Sequence, residues 1–164
     1  MDSRPDIFDS ALRARRRDRM LPTYADHDFL HQAMLDELLD RLGDVQRDLP
    51  EALVIGCPDG RAPAALEAMG KRVACVDPSF LAARAMNGVQ ADEDALPFAD
   101  DSFDLVLACG TLDSVNDLPG ALILMRRVLR PDGLMLAAFA GAGSLPRLKA
   151  ALLAAEGDRA GQHI

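Results

Sequence analysis

Tryptophan is absent from this chain of 164 residues, tyrosine occurs once and phenylalanine six times. A core so poor in rings must be built from leucine, alanine, valine and methionine. Cysteine is scarce as well. Cys57, Cys75 and Cys109 are odd in number and lack metal-ligand spacing, so they read as small buried hydrophobes in a reducing compartment, and a cytoplasmic protein is expected. No apolar run approaches the ~20 residues that span a bilayer, and the N-terminus shows no apolar stretch of the signal-peptide kind. Positive charge is in deficit: the net charge of −8 argues against a nucleic-acid footprint. Internal repeats and low-complexity segments are missing too. What remains, 49% hydrophobic and 27% charged residues, is the composition of one soluble domain.

Along the chain the pattern changes twice. Residues 1–48 read as a helical N-terminal extension. Its first helix interleaves Ile7, Phe8, Leu12 and Met20 with Arg13, Arg15, Arg16, Arg17 and Arg19, a basic segment with a thin apolar stripe. Leu21-Pro22-Thr23 breaks it. A second helix is expected from about Asp26 to Gly43, with Phe29, Leu30, Ala33, Met34, Leu38 and Leu42 on its inner face. Residues 49–156 alternate short apolar strands with helices, as in a parallel sheet covered on both faces. Strands are expected near 51–56, 72–77, 88–91, 103–109 and 133–140, and helices near 60–69, 79–86, 117–130 and 144–156. In the third of these helices, Leu118, Ala121, Leu122, Met125, Val128 and Leu129 form an inward stripe. Pro131-Asp132-Gly133 reads as a turn before the last strand, and residues 157–164 as a polar tail.

One stretch points to chemistry. Leu53–Gly60, followed by Val73–Asp77, reads as strand, glycine turn, helix, strand and acid. Asp77 follows Gly56 by about twenty residues, the distance at which a doubly wound α/β fold brings a carboxylate to the ribose of a nucleotide seated on the first strand-to-helix turn. Glycine lets the backbone pass close to a ligand, and the carboxylate accepts hydrogen bonds from ribose hydroxyls. Asp77 could instead be a solvated residue opening a turn before Pro78; its place at a strand end favours the ligand.

Taken in order, these residues carry a family pattern. Gly56 and Gly60, Asp77, Ala91-Asp92 with Ala95-Leu96-Pro97-Phe98, Ser102–Val106 and Leu129–Gly133 resemble the class I S-adenosylmethionine-dependent methyltransferases, including the biotin-pathway methyltransferase. Ile7-Phe8-Asp9 with its Arg-rich helix, Asp28-Phe29-Leu30, Arg47–Pro50 and Gly143-Ser144-Leu145 are similar to the methyltransferase-like complex I assembly factors. The resemblance implies an α/β, Rossmann-like parallel sheet with a helical N-terminal extension. It implies S-adenosylmethionine as cofactor and a small-molecule or protein methyl acceptor. Cofactor contacts are carried to Gly56, Cys57, Gly60, Asp77, Pro78, Asp92, Glu93 and Cys109: the glycine turn around the methionine end, Asp77 on the ribose, Asp92 beside Glu93 on the adenine amino group, and Cys109 with Gly110 along the methyl-transfer channel. It names no catalytic residue, since the sulfonium is already an activated methyl donor and positioning does the work. The alternative is a catalytically inactive methyltransferase-like assembly or interaction factor, including one for a respiratory complex.

Four departures from the family pattern bear on that choice. Val54 stands where relatives carry an acid, Pro58 replaces the middle glycine and removes an N–H donor, and Asp113-Ser114 replaces His-Trp. The sequence also stops after the helix that follows the fifth strand, where the full fold of the family has a sixth and a seventh strand; either 164 residues is the natural length or the sequence is a fragment of a longer protein. In the first case the fifth strand is an open edge, at which a homodimer or partner chain is expected to pair. Three further arrangements invite a functional reading. His27 and His31, spaced i, i+4, could share a metal, but without a third ligand they read as surface residues and no metal is assigned. Cys109 at a strand end lacks a nearby histidine to activate it, and reads as a pocket wall rather than a nucleophile. The Arg13–Arg19 cluster could meet an anionic surface or acidic partner; a solvated helix packed over the sheet is the plainer reading.

Overall fold

The computed structural model describes residues 6–56, 58–141 and 143–160, with side chains through Glu156. Cys57 and residues 161–164 of the expected tail lie outside the described residues. The chain runs α1 (Ser10–Met20), a 3-10 helix (Leu21–Asp26), α2 (Phe29–Gly43), β1 (Glu51–Ile55), α3 (Arg61–Ala68), β2 (Arg72–Asp77), α4 (Phe80–Ala85), β3 (Val89–Gln90), β4 (Phe103–Cys109), α5 (Leu118–Val128), β5 (Leu129–Ala138) and α6 (Pro146–Ala160). The sheet is parallel throughout, in the order β3-β2-β1-β4-β5. This is the expected Rossmann-like architecture.

β1 and β4 are the central strands, and Ala52–Ile55 and Leu105–Ala108 are wholly inaccessible to solvent. A strand covered on both faces reads as an unbroken apolar run, because alternate residues feed different layers. Val54, Leu105 and Leu107 pack with Leu35, Leu38 and Leu42 of α2 and with Leu66 of α3. Leu53, Ile55 and Val106 pack with Ala121, Met125 and Val128 of α5. The inner stripe expected for α5 is observed from Leu118 to Val128, whereas Leu129, its last expected member, is buried as the first residue of β5.

α2 differs from expectation in two ways. It starts at Phe29 rather than near Asp26, because Pro22 opens a 3-10 helix that carries the chain to its end at Asp26. Its buried stripe is Leu35, Leu38 and Leu42, while Phe29 and Leu30 face solvent. Residues 35, 38 and 42 repeat at helical spacing on the face held against the sheet, which turns the first two apolar side chains outward.

β5 also differs. Pro131-Asp132-Gly133 does not precede the strand but lies within it: Leu129 pairs with Phe103, and the register then shifts so that Leu134 faces Leu105. The extra residues form a bulge with Asp132 at φ 66°. β5 is an edge strand, hydrogen-bonded to β4 alone among the described residues. α6 continues to Ala160, past the expected start of the tail, and its side chains from Pro146 to Glu156 are exposed.

Candidate functional site at the carboxyl ends of the strands

In open parallel sheets ligands sit beyond the carboxyl ends of the strands, where the connections diverge to opposite faces. Here that rim carries Gly56 after β1, Asp77 ending β2, Asp92 and Glu93 after β3, and Cys109 ending β4.

Gly56 and Gly60 are both left-handed, with φ of 76° and 74°, a conformation that costs a Cβ-bearing residue free energy. They differ in surroundings. A Cβ at Gly60 would meet open space, whereas one at Gly56 would strike the Thr111 side chain. The body pressed against Gly56 is therefore Thr111, from the loop after β4. Pro58 is buried in the same turn.

Asp77 is fully buried. Its Oδ1 accepts the backbone N–H of Ser79 at 2.8 Å and Nε of Arg17 at 3.1 Å; its Oδ2 accepts Nη2 of Arg17 at 2.6 Å. One helical turn earlier, Arg13 grips Glu93 in the same two-pronged way, Nη1 to Oε2 and Nη2 to Oε1, both at 2.6 Å. Nη2 of Arg13 also donates to the carbonyl and hydroxyl oxygens of Thr111 at 3.0 Å, and the Thr111 hydroxyl donates to Glu93. Burial disfavours the Glu93 carboxylate, yet the hydrogen bonds and charge of Arg13, with Thr111, outweigh it and hold the group below its ordinary range. Bidentate guanidinium–carboxylate pairs are the strong, oriented kind.

Asp92 stands apart. It is half-buried and lines an open groove of about 420 Å³ with Pro78, Gln90, Ala91 and residues Ser10, Ala11 and Ala14 of α1. Burial, then the charges of Glu93 and Asp94, push its carboxyl above the usual value. On the other side of Gly56 lies a small cavity walled by Tyr24, His31, Asp59, Arg61 and Cys109, with about 10 Å³ of free space, room for roughly one water. Arg61 pairs there with Asp28 and Asp59, and the Asp28 carboxylate is buried. Burial pushes the Cys109 thiol up to about 11, aided by Asp59, and its Sγ donates to the His31 carbonyl at 3.6 Å. A thiol in that state is a wall rather than a nucleophile.

The expected site residues fall into three groups. Gly56, Asp77, Pro78, Asp92, Glu93 and Cys109 come together on the rim; Gly60 shapes the turn behind it; Cys57 lies outside the described residues. Val54 does not reach the rim but is buried in the apolar layer under α2. Asp113 is exposed on a short 3-10 helix after β4. His27 precedes α2 and is exposed, while His31 packs against Tyr24, so the i, i+4 helical pairing is not formed. Sequence reasoning missed Arg13, Arg17, Thr111, Asp28, Asp59 and Arg61. A signal existed for the first two alone: they are four apart on one helix face, and an acidic run stands at residues 92–94.

Comparison with known proteins agrees with this architecture. Residues 53–137 match the family model described as a methyltransferase domain. The chain is 35% identical over 169 residues to the mitochondrial arginine-hydroxylase NDUFAF5 of Danio rerio, covering 95% of this chain and 52% of that protein. It is 32% identical to a malonyl-[acyl-carrier protein] O-methyltransferase of Methylovorus sp., covering 88% of this chain and 55% of the relative. The chain thus spans about half the length of the curated relatives it matches. Among solved structures, a SAM-dependent methyltransferase of Thermotoga maritima superposes with a TM-score of 0.60 at 22% identity, over 73% of this chain and 58% of that one. The superposition agrees with the parallel 3-2-1-4-5 sheet; with residues 53–137, just over half of its length, matching the family model, the chain belongs to the methyltransferase-domain family.

Proposed function

We propose that this domain binds S-adenosylmethionine at the carboxyl rim of the sheet and serves methyl transfer to a small-molecule or protein acceptor. The observation that carries the reading is Asp77: a fully buried carboxylate ending β2, beside the Gly56 turn, with a groove next to it on the Pro78 and Asp92 side. The donor set fits the group. Asp77 would accept the ribose hydroxyls, Pro78 and Asp92 would flank the base, and Asp59 with Arg61 offers charges of both signs near the methionine end. Cys109, held as a thiol, would wall the channel between them. The bound cofactor supplies a methyl group already activated on a sulfonium. The chain's contribution is orientation and exclusion of water.

Calorimetric titration with S-adenosylmethionine tests this. Wild type is expected to bind, and Asp77→Ala to lose at least tenfold in affinity, since a hydrogen bond to a charged group contributes about 1.5–3 kcal/mol. Equal affinity in the two proteins would overturn the assignment of Asp77.

A second reading has a specific observation in its favour. Asp77, the carboxylate a ribose would use, is already paired with Arg17, and Glu93 beside Asp92 with Arg13, as in a domain that holds partners rather than turning over a cofactor. On that reading the domain is a methyltransferase-like assembly factor, in line with the relatives named NDUFAF5. A flat titration together with an intact fold would favour it.

A further inference from the structure

α1 is attached to the domain in an unusual way. None of its eleven residues is buried. What holds it is polar, and every strong contact falls on the rim: Arg13 on Glu93, Arg17 on Asp77, and Asp18 accepting from the Ser79 hydroxyl and the Leu81 N–H. Just before the helix, the Asn116 side chain accepts from the N–H groups of Ile7 and Phe8 and donates to the Phe8 carbonyl. The helix is thus a strap laid across the carboxyl ends of the strands, from the loop before α5 to the start of α4.

One of the groups that fasten it, the Asp77 carboxylate, is the one a ribose would need. Both oxygens of Asp77 are taken by Arg17, whose Nη2 also lies 3.4 Å from the Gly56 carbonyl. A small-molecule site needs about 300 Å³ or more; the cavity beyond Gly56 offers about 10 Å³. The rim in this state can seat a base in the Asp92 groove but not a ribose on Asp77.

We infer that α1 is an internal competitor for the cofactor cleft, its Arg17 and Arg13 standing in for the ligand on Asp77 and Glu93, so that ligand binding and strap release are one equilibrium. This rests on the cofactor reading above. Release draws no α1 side chain out of either apolar cluster, since none belongs to one, and it lets Asp77 and Glu93 regain water or ligand in place of the guanidinium groups. A helix of eleven residues is below the ~12–15 that hold together alone in water, so the freed strap unwinds. Occupancy therefore sets how much of the protein can bind, and the apparent affinity falls by the fraction in the strapped state. Anything that captures the basic strap in trans, such as an acidic partner surface, would open the cleft by the same linkage.

The test titrates S-adenosylhomocysteine into wild type and into Arg13→Gln/Arg17→Gln, and follows amide exchange of residues 10–20 in wild type with and without the ligand. Expected are about tenfold tighter binding to the double variant, the gain when the open fraction rises from about a tenth to nearly all, and faster exchange of the strap when wild type is saturated. Equal or weaker binding to the folded variant, or slower strap exchange with ligand, overturns this inference and leaves the cofactor reading standing. No binding to either protein overturns both. If the double variant fails to fold, the exchange of wild type decides alone: faster supports the strap, unchanged or slower ends it.

Discussion

α1 and α2 are neighbours in sequence, similar in length, and held by opposite physics. α2 presents Leu35, Leu38 and Leu42 to the sheet and is part of the core; α1 has no buried residue of its own and is fastened by ion pairs and hydrogen bonds. Apolar burial is undirected and is lost only when the whole layer opens. Ion pairs to a rim are directional, respond to pH and salt, and can be exchanged one for one with water or a ligand. The contrast shows how a small domain can carry a removable element beside a permanent one without a hinge or second domain.

Three perturbations separate the two helices, in falling order of effect. The largest is Leu38→Ala. Leu38 is 3% exposed, and truncating a buried leucine costs about 2–5 kcal/mol, so the midpoint of urea unfolding should fall for the whole domain. A drop confined to local exchange of α2 would show that this helix is no more integral than α1. Next is acid. Glu93 has a depressed carboxyl pKa in the folded state, so its contribution is present above the unfolded value of about 4.3 and is lost as pH falls through the folded one. After correction for intrinsic rates, exchange of α1 amides should accelerate as pH falls below that unfolded value and through the folded one while mid-α2 amides keep their protection; both helices loosening together would erase the distinction. The smallest is Asn116→Ala, which removes three hydrogen bonds to the segment before α1. A loss of about 1 kcal/mol in strap protection is expected, with the unfolding midpoint nearly unchanged; a shift of that midpoint as large as that of Leu38→Ala would mean the strap is core after all.

How much of this was legible follows from which interactions are local. The five strands, α5 with its inward stripe and Asp77 at a strand end could be read because each repeats at a period of two or 3.6 residues, or sits at a turn with its own residue signature. The inner face of α2 could not be fixed so, since Phe29 and Leu30 are as apolar as Leu35 and Leu38 and only contact with the sheet chooses between them. The bulge at Pro131-Asp132-Gly133 looked like a stop for a related reason. The same residues serve a turn or an irregular strand, and pairing with Phe103 and Leu105 decides which. Gly56 was read as making room for a ligand, yet its neighbour is Thr111, 55 positions along the chain by number and invisible to any window around the turn.

The sequence by itself determined the strand order's raw material: apolar runs long enough for a covered parallel sheet, helices between them, a glycine turn and an acid at the right distance from it. Only the tertiary structure decided what that acid touches. Arg17 reaches Asp77 across 60 residues and Arg13 reaches Glu93 across 80. Charges attract without regard to sequence separation and leave no periodic trace, so a pairing of that kind exists only once the sheet has brought its carboxyl ends together beneath the helix.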